Sequence, residues 1–388
     1  MTDRTAQVRA HLTEDLIPFW KSLRDDTRGG YVSLVGSDLT RDPLAERGCI
    51  LNSRILWFFA SAYGALGEES LLGEAAHAYE ALLGMLDPVN GGMYWSVDAA
   101  GHPLDTTKHT YNQAFAVYAL STYARVTGER APLDLAFRIF ETIETRCRDA
   151  GGYLEAQSAD WRPAGNDKLS ENGVEAGRTM NTLLHVLEGY TALYEASGDP
   201  RVRERLREIL DTWEEKVWNP EKRRQEVFFD PDWHTLIDLH SFGHDIETSW
   251  LADHTLEVLG DEALTARIRP KLLAMAEETL KLAWTAGNGF SAEMERGKVD
   301  TTRVWWVQAE ALLGFLHAWG LTREARFLDA ARDQWDYIRE KVIDPRCGEW
   351  RWSLREDGTD TGKPFVEPWK CPYHNGRMCL EVLRLGAL

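Results

Sequence analysis

GGYVSLV (29–35), GGMYWSVD (91–98), GGYLEA (151–156), EVFFD (226–230), GFSAEM (289–294) and GEWRWSL (348–354) are six copies of one short aromatic segment, most of them entered through glycine. Their first residues lie 62, 60, 75, 63 and 59 positions apart. Self-similarity at a near-constant period marks a repeat architecture, and a period of about 60 residues holds one helical hairpin and its loop. Between the loops the chain reads as helix. The predicted helices cover 4–22, 49–65, 68–85, 111–127, 131–148, 177–197, 199–217, 245–259, 262–284, 303–320, 323–342 and 374–386. AEALLGFLHAW (309–319) and FLDAARDQWDYIREKV (327–342) show the i, i+3, i+4 apolar spacing best. An open array would need distinct polar repeats at its ends, and neither end carries one. Twelve helices in six pairs therefore predict a closed all-α ring. This is an (α/α)6 barrel of six helical hairpins with short β-hairpins in the loops, spanning 1–388 as a single domain. The site is expected at one mouth, where loops meet the starts of the inner helices.

Composition narrows the function. The net charge of −18 repels phosphate backbones, so nucleic acid is not an expected partner. No apolar run approaches the roughly 20 residues that cross a bilayer, and MTDRTAQVRAHLTEDLIPFW (1–20) lacks a secretory pattern. Neither a membrane nor export is expected. Five cysteines without a CxxC read as reduced thiols of a cytoplasmic protein. Tryptophan, at 16 copies, outnumbers Phe and Tyr. Its flat face suits the apolar C–H faces of sugar rings. No GxSxG, GxxxxGK[ST] or GxGxxG pattern occurs, so phosphate-cradling loops and the nucleophile elbow are not supported.

Five segments place ionisable residues where an inner helix should begin. In NSRILWFF, Arg54 precedes Trp57 and Phe58; it either snorkels to a carboxylate or faces a ligand. In TMNTLLHVLEGY, Asn181 and His185 share one helix face, flanked by Leu183, Leu184 and Val186. In DLHSFGHDIETSW, His240, His244 and Glu247 offer a zinc-like set. Ser241-Phe242-Gly243 breaks the helix that shared ligation would need, so no metal is expected. With a helix starting near His244, Glu247 sits on the same face and can hold the imidazole. In TTRVWWVQAEALLGF, Trp306 and Glu310 are four apart, an indole to stack on a sugar and a carboxylate to accept from its hydroxyls. In EPWKCPYHNGRMCLEV, His374 stands at a loop-to-helix junction among Trp369, Asn375 and Arg377.

At SRILW, KHTYNQAFAVYAL, SFGHDIETSW, RVWWVQAEA and WKCPYHNGRMC the chain resembles the N-acylglucosamine 2-epimerase superfamily, in particular its cellobiose 2-epimerase branch. The resemblance runs over essentially the whole chain and implies the same (α/α)6 barrel. It implies cofactor-free inversion at C2 of the reducing-end glucose of β-1,4 disaccharides such as cellobiose, lactose and mannobiose. The runner-up is a mannose 2-epimerase or mannose/fructose isomerase on the same barrel. By position, the resemblance makes His374 the group that exchanges the C2 proton. His244 is then the opposite acid/base, with Glu247 holding it. Arg54 and His185 face the oxygens at C1 and C2, and Tyr111, Asn181, Trp306, Glu310 and Trp369 bind the sugar. The expected partner is a small sugar, and the expected state a monomer or weak homodimer. Histidine suits such chemistry because its pKa of about 6.5 lets it act as base or acid near neutrality. A cation at Arg54 would meet the charge growing on O1 of an enediolate.

Overall fold

The computed structural model describes residues 3–169 and 172–388. Helix Pro200–Thr212 buries Val202, Leu206, Ile209 and Leu210 and leaves charged residues on its other face, the stripe of a rod with one side against a core. Helix Trp305–Thr322 is buried on nearly every side. That contrast divides the twelve helical rods of the described residues. The inner six are Cys49–Leu66, Thr110–Thr127, Met180–Ser197, Phe242–Leu259, Trp305–Thr322 and His374–Leu385. The outer six are 4–21, Glu69–Leu83, Arg130–Arg146, 200–217, Glu262–Leu282 and 325–342. Three outer rods contain π-helical turns, at His11–Leu16, Trp213–Val217 and Ile338–Val342. Each inner helix packs on the next and the last packs on the first, so the ring closes as predicted.

Among the described residues no outer helix follows the last inner helix. Its partner is the N-terminal rod, 4–21, so one of the six hairpins is assembled from both ends of the chain. The loops repeat this order. Each aromatic segment first bridges back to the end of its outer helix, as Leu86 does with Met93 and Ile343 with Trp350. It then pairs with the residues just before the inner helix of its own unit. Ser96–Val97 pairs with Arg47–Gly48, Ala156–Gln157 with Lys108–His109, and Phe228–Phe229 with Arg178–Thr179. Glu293–Glu295 pairs with Leu239–Ser241, and Ser353–Leu354 with Arg303–Val304. Val35 pairs with Val366 and completes the set across the termini. The expected local hairpins are present. The second pairing, which anchors every inner-helix start, is the part the periodicity did not reveal.

All six inner helices stop at a left-handed residue. Five are Gly67, Gly128, Gly198, Gly260 and Gly386. The sixth is Arg323, at φ 61°, where a Cβ is disfavoured. Cys49–Leu66 alone among the described helices is long and apolar enough to cross a bilayer, but 72% of it is buried as a wall of the barrel, and Arg54 lies within it.

Candidate active site

The inner-helix starts converge on a cavity of about 360 Å³ at one mouth. Arg54, Tyr111, Asn181, His185, His244, Glu247, Trp306, Trp369 and His374 all line it. They come from all six inner helices and, for Trp369, from the loop before the last one. Of the residues assigned a catalytic or sugar-binding role from the sequence, only Glu310 stands behind the wall, fully buried.

His374 is the first residue of its helix. Its Nδ1 lies 2.7 Å from Glu310 Oε1 and 3.8 Å from Glu247 Oε1. Burial, then the nearby Arg377 and Arg54 charges, hold its pKa well below the ordinary 6.5; the positive end of the helix dipole acts in the same sense. His244 is the third residue of helix Phe242–Leu259, whose start lies three residues before the expected 245. Burial lowers its pKa too, followed by repulsion from His185. Trp306 packs on both rings, with centroids 4.8 Å from His244 and 5.4 Å from His374. Gly243 makes that packing possible, since a Cβ there would come within 2.5 Å of Trp306 Cη2.

Two expected contacts are corrected. Glu247 does not hold His244: the His244 Nδ1 partner is Ser241 Oγ at 2.7 Å, and Glu247 Oε1 accepts from Arg377 Nη2 at 2.6 Å. From the third helical position the His244 ring reaches back to the residue before the helix, while Glu247 points across the axis. Glu310 is not placed to bind a sugar. It accepts from Trp250 Nε1 at 2.9 Å and Arg377 Nη2 at 2.7 Å, as well as meeting His374. His240 meets Asp245 at 2.8 Å and lies outside the cavity lining that His244 joins, so the two histidines do not converge on one ligand. Glu247, Glu310 and His374 do bring ligand atoms within 4.8 Å of one another, but the Arg377 guanidinium already supplies a cation between the two carboxylates.

Arg54 is 3% exposed. Its Nη2 donates to Tyr111 Oη at 2.8 Å, its guanidinium lies 4.1 Å from the Phe115 centroid, and Nη1 reaches Cys371 Sγ at 3.7 Å. No carboxylate of the described residues pairs with it. His185 Nδ1 lies 2.9 Å from Glu188 Oε2. Glu188 also accepts from Arg377 Nη1 at 2.5 Å and from the Tyr373 hydroxyl. Burial opposes ionisation of Glu188, but Arg377 and His185 outweigh it and hold the carboxyl at about 2. Glu247 and Glu310 are both pushed upward by burial. With three donors Glu310 is the better held as an anion. Glu247 has one, and its buried Oε2 has none, so Glu247 takes the proton of the pair.

Glu188, Arg377, Tyr373, Trp250 and Ser241 were not identified from the sequence as site residues. A signal existed for two of them. Glu188 is a carboxylate inside the apolar run LLHVLEGY, three residues after His185, and Arg377 follows His374 at the same interval. On an inner helix that spacing keeps both side chains toward the axis.

The sequence pattern of N-acylglucosamine 2-epimerase (GlcNAc 2-epimerase) matches residues 29–375. The chain is 47% identical to the cellobiose 2-epimerase of Eubacterium cellulosolvens and 44% identical to that of Ruminococcus albus, in each case over 98% of both chains. The solved structure of cellobiose 2-epimerase from Bacillus thermoamylovorans, 42% identical, superposes with a TM-score of 0.95 over 99% of this chain and 100% of the other. This chain is an enzyme of the N-acylglucosamine 2-epimerase family.

Proposed function

We propose that the enzyme reversibly inverts C2 of the reducing-end sugar of a β-1,4-linked disaccharide, exchanging glucose and mannose in cellobiose, lactose or mannobiose. The relatives named cellobiose 2-epimerase support the reaction class. The observation that carries it here is Arg54. A buried guanidinium without a carboxylate is costly, and this one faces a cavity shared with two histidines held neutral. That is the equipment for building a negative charge on a substrate oxygen while a carbon-bound proton is removed.

The steps balance. Neutral His244 takes the C1 hydroxyl proton as the C1–O5 bond breaks, and the protonated Glu247 carboxyl gives O5 its hydrogen. The C2 proton of the open aldehyde is then α to a carbonyl. His374 removes it, Arg54 meets the charge on O1, and the now-charged His244 delivers a proton to the opposite face of C2. On closure O5 returns its proton to Glu247 and O1 takes the one held by His374. Trp369, 6.0 Å from Tyr111 between ring centroids, offers a stacking face. Farther out the cavity is walled by Trp352, which donates to Glu367 at 3.3 Å and carries the Lys363 ammonium 3.6 Å from its ring centroid. This wall is suited to a second sugar.

Incubation with cellobiose in deuterated buffer tests the proposal. Glucosyl-mannose carrying deuterium at C2 is the expected product. A keto-disaccharide as the main product, or reaction with mannose but not cellobiose, would overturn it.

A further inference from the structure

His185 and His374 are built alike. Each turns Nδ1 to a buried glutamate, Glu188 at 2.9 Å and Glu310 at 2.7 Å, and each lines the cavity. The two glutamates belong to different inner helices, yet one side chain holds both. Arg377 donates through Nη1 to Glu188 Oε1 and through Nη2 to Glu310 Oε1 and Glu247 Oε1. Its guanidinium is clamped between rings, 4.2 Å from the Tyr373 centroid and 4.8 Å from that of Trp250. An ionised carboxylate can only accept. A neutral imidazole facing one must therefore carry its hydrogen on Nδ1 and leave Nε2 as a bare acceptor.

We propose that Arg377 is a positioning residue that locks the Glu188–His185 and Glu310–His374 pairs on one guanidinium, so that both rings present a proton-free Nε2 to the cavity. The inference rests on the epimerase reading for what the second ring does: His185 accepts a sugar hydroxyl hydrogen while His374 accepts the proton from carbon. Only a planar fork reaches carboxylates on opposite sides at once. The charged and titratable groups around the two rings are Arg54 from the first inner helix, Tyr111 and Tyr118 from the second, Glu188, Glu247 with His244, Glu310, and Tyr373 beside the last. Arg377 and Arg54 are the cations that oppose a charge on either ring.

The test has two arms. In wild-type protein labelled with nitrogen-15 at histidine, NMR at neutral pH should show His185 and His374 protonated on Nδ1 and bare on Nε2. A charged ring, or a hydrogen on Nε2 of either, overturns the proposal without any variant. The second arm is Arg377→Lys, which keeps the charge and loses the fork. It should lower kcat on the order of 10- to 100-fold, the cost of a misplaced catalytic group, with KM within about twofold. Because the carboxylates are then less fully paired, the acid limb of kcat/KM should move to higher pH. A folded variant with unchanged kcat and unmoved limb, or one that loses activity through KM alone, overturns it. If the wild-type enzyme epimerises no disaccharide while both rings carry Nδ1–H, the epimerase reading fails and the positioning geometry stands.

Discussion

Glu310 and His374 lie 64 residues apart in sequence, on adjacent inner helices, and meet at 2.7 Å through Oε1 and Nδ1. The carboxylate is fully buried behind the ring, so the pair fixes which nitrogen of His374 faces substrate. Glu310→Gln keeps the shape and removes the charge that stabilises the imidazolium formed when His374 takes a proton. Steady-state kinetics on cellobiose should show kcat lowered by about 10- to 100-fold with little change in KM.

The pH profile follows from the direction of the histidine shifts. Both His244 and His374 titrate below 6.5 in the folded protein, and the base must be neutral. A lowered pKa keeps the active form populated as pH falls from 8 to about 6.5, with loss only on further acidification. A kcat/KM profile should therefore be flat through neutrality, with an alkaline limb near about 8 where Glu247, pushed up by burial, loses the proton it gives to O5. An acid limb centred above 6.5 would contradict the burial argument.

Arg54→Met separates stability from function. Replacing a buried, unpaired charge with an apolar side chain of similar length is often neutral or stabilising. The melting temperature should hold or rise, while kcat/KM falls by at least about 100-fold through loss of the oxyanion partner. Calorimetry and kinetics on the same preparation decide it.

Gly243→Ala should cost activity although alanine is the better helix former. The added Cβ would lie 2.5 Å from Trp306 Cη2 and 2.7 Å from Val307 Cγ2. Trp306 packs on both His244 and His374, so its displacement disturbs both. The expected result is a folded protein with helix content unchanged and kcat lowered at least tenfold, roughly the effect of a sub-ångström misplacement.

Arg323→Gly removes the one non-glycine left-handed terminus among the six inner helices. Arg323 recovers part of its strain through its guanidinium, 4.8 Å from the Trp319 ring centroid. The substitution should still raise stability by about 0.5–1 kcal/mol in denaturant unfolding, with kinetics on cellobiose unchanged, because the residue lies at the far end of its helix from the cavity.

Most of the fold is legible in the chain. Six aromatic loops at near-equal spacing, helical patterning between them and no polar end repeats are local features, and together they specify a closed ring of six hairpins. The same reading marks ionisable residues where five of the six inner helices begin, which is why Arg54, Asn181, His185, His244, Trp306 and His374 stand out in the chain. Spacing along a helix decides only which side chains share its face. It does not say which carboxylate meets which histidine across the axis. Glu247, three residues after His244, turned instead to Arg377, 130 residues away, and Arg377 reaches Glu188 across 189 residues. Those partners depend on the crossing of packed inner helices and on competition for a few buried donors, since every carboxylate taken out of water must find one. Repeat spacing and helical patterning specified the ring, the mouth at the inner-helix starts and the residue types gathered there. Only tertiary packing decided that one guanidinium would tie three glutamates together, which ring nitrogens are left facing the cavity, and that Arg54 stands without a counter-charge.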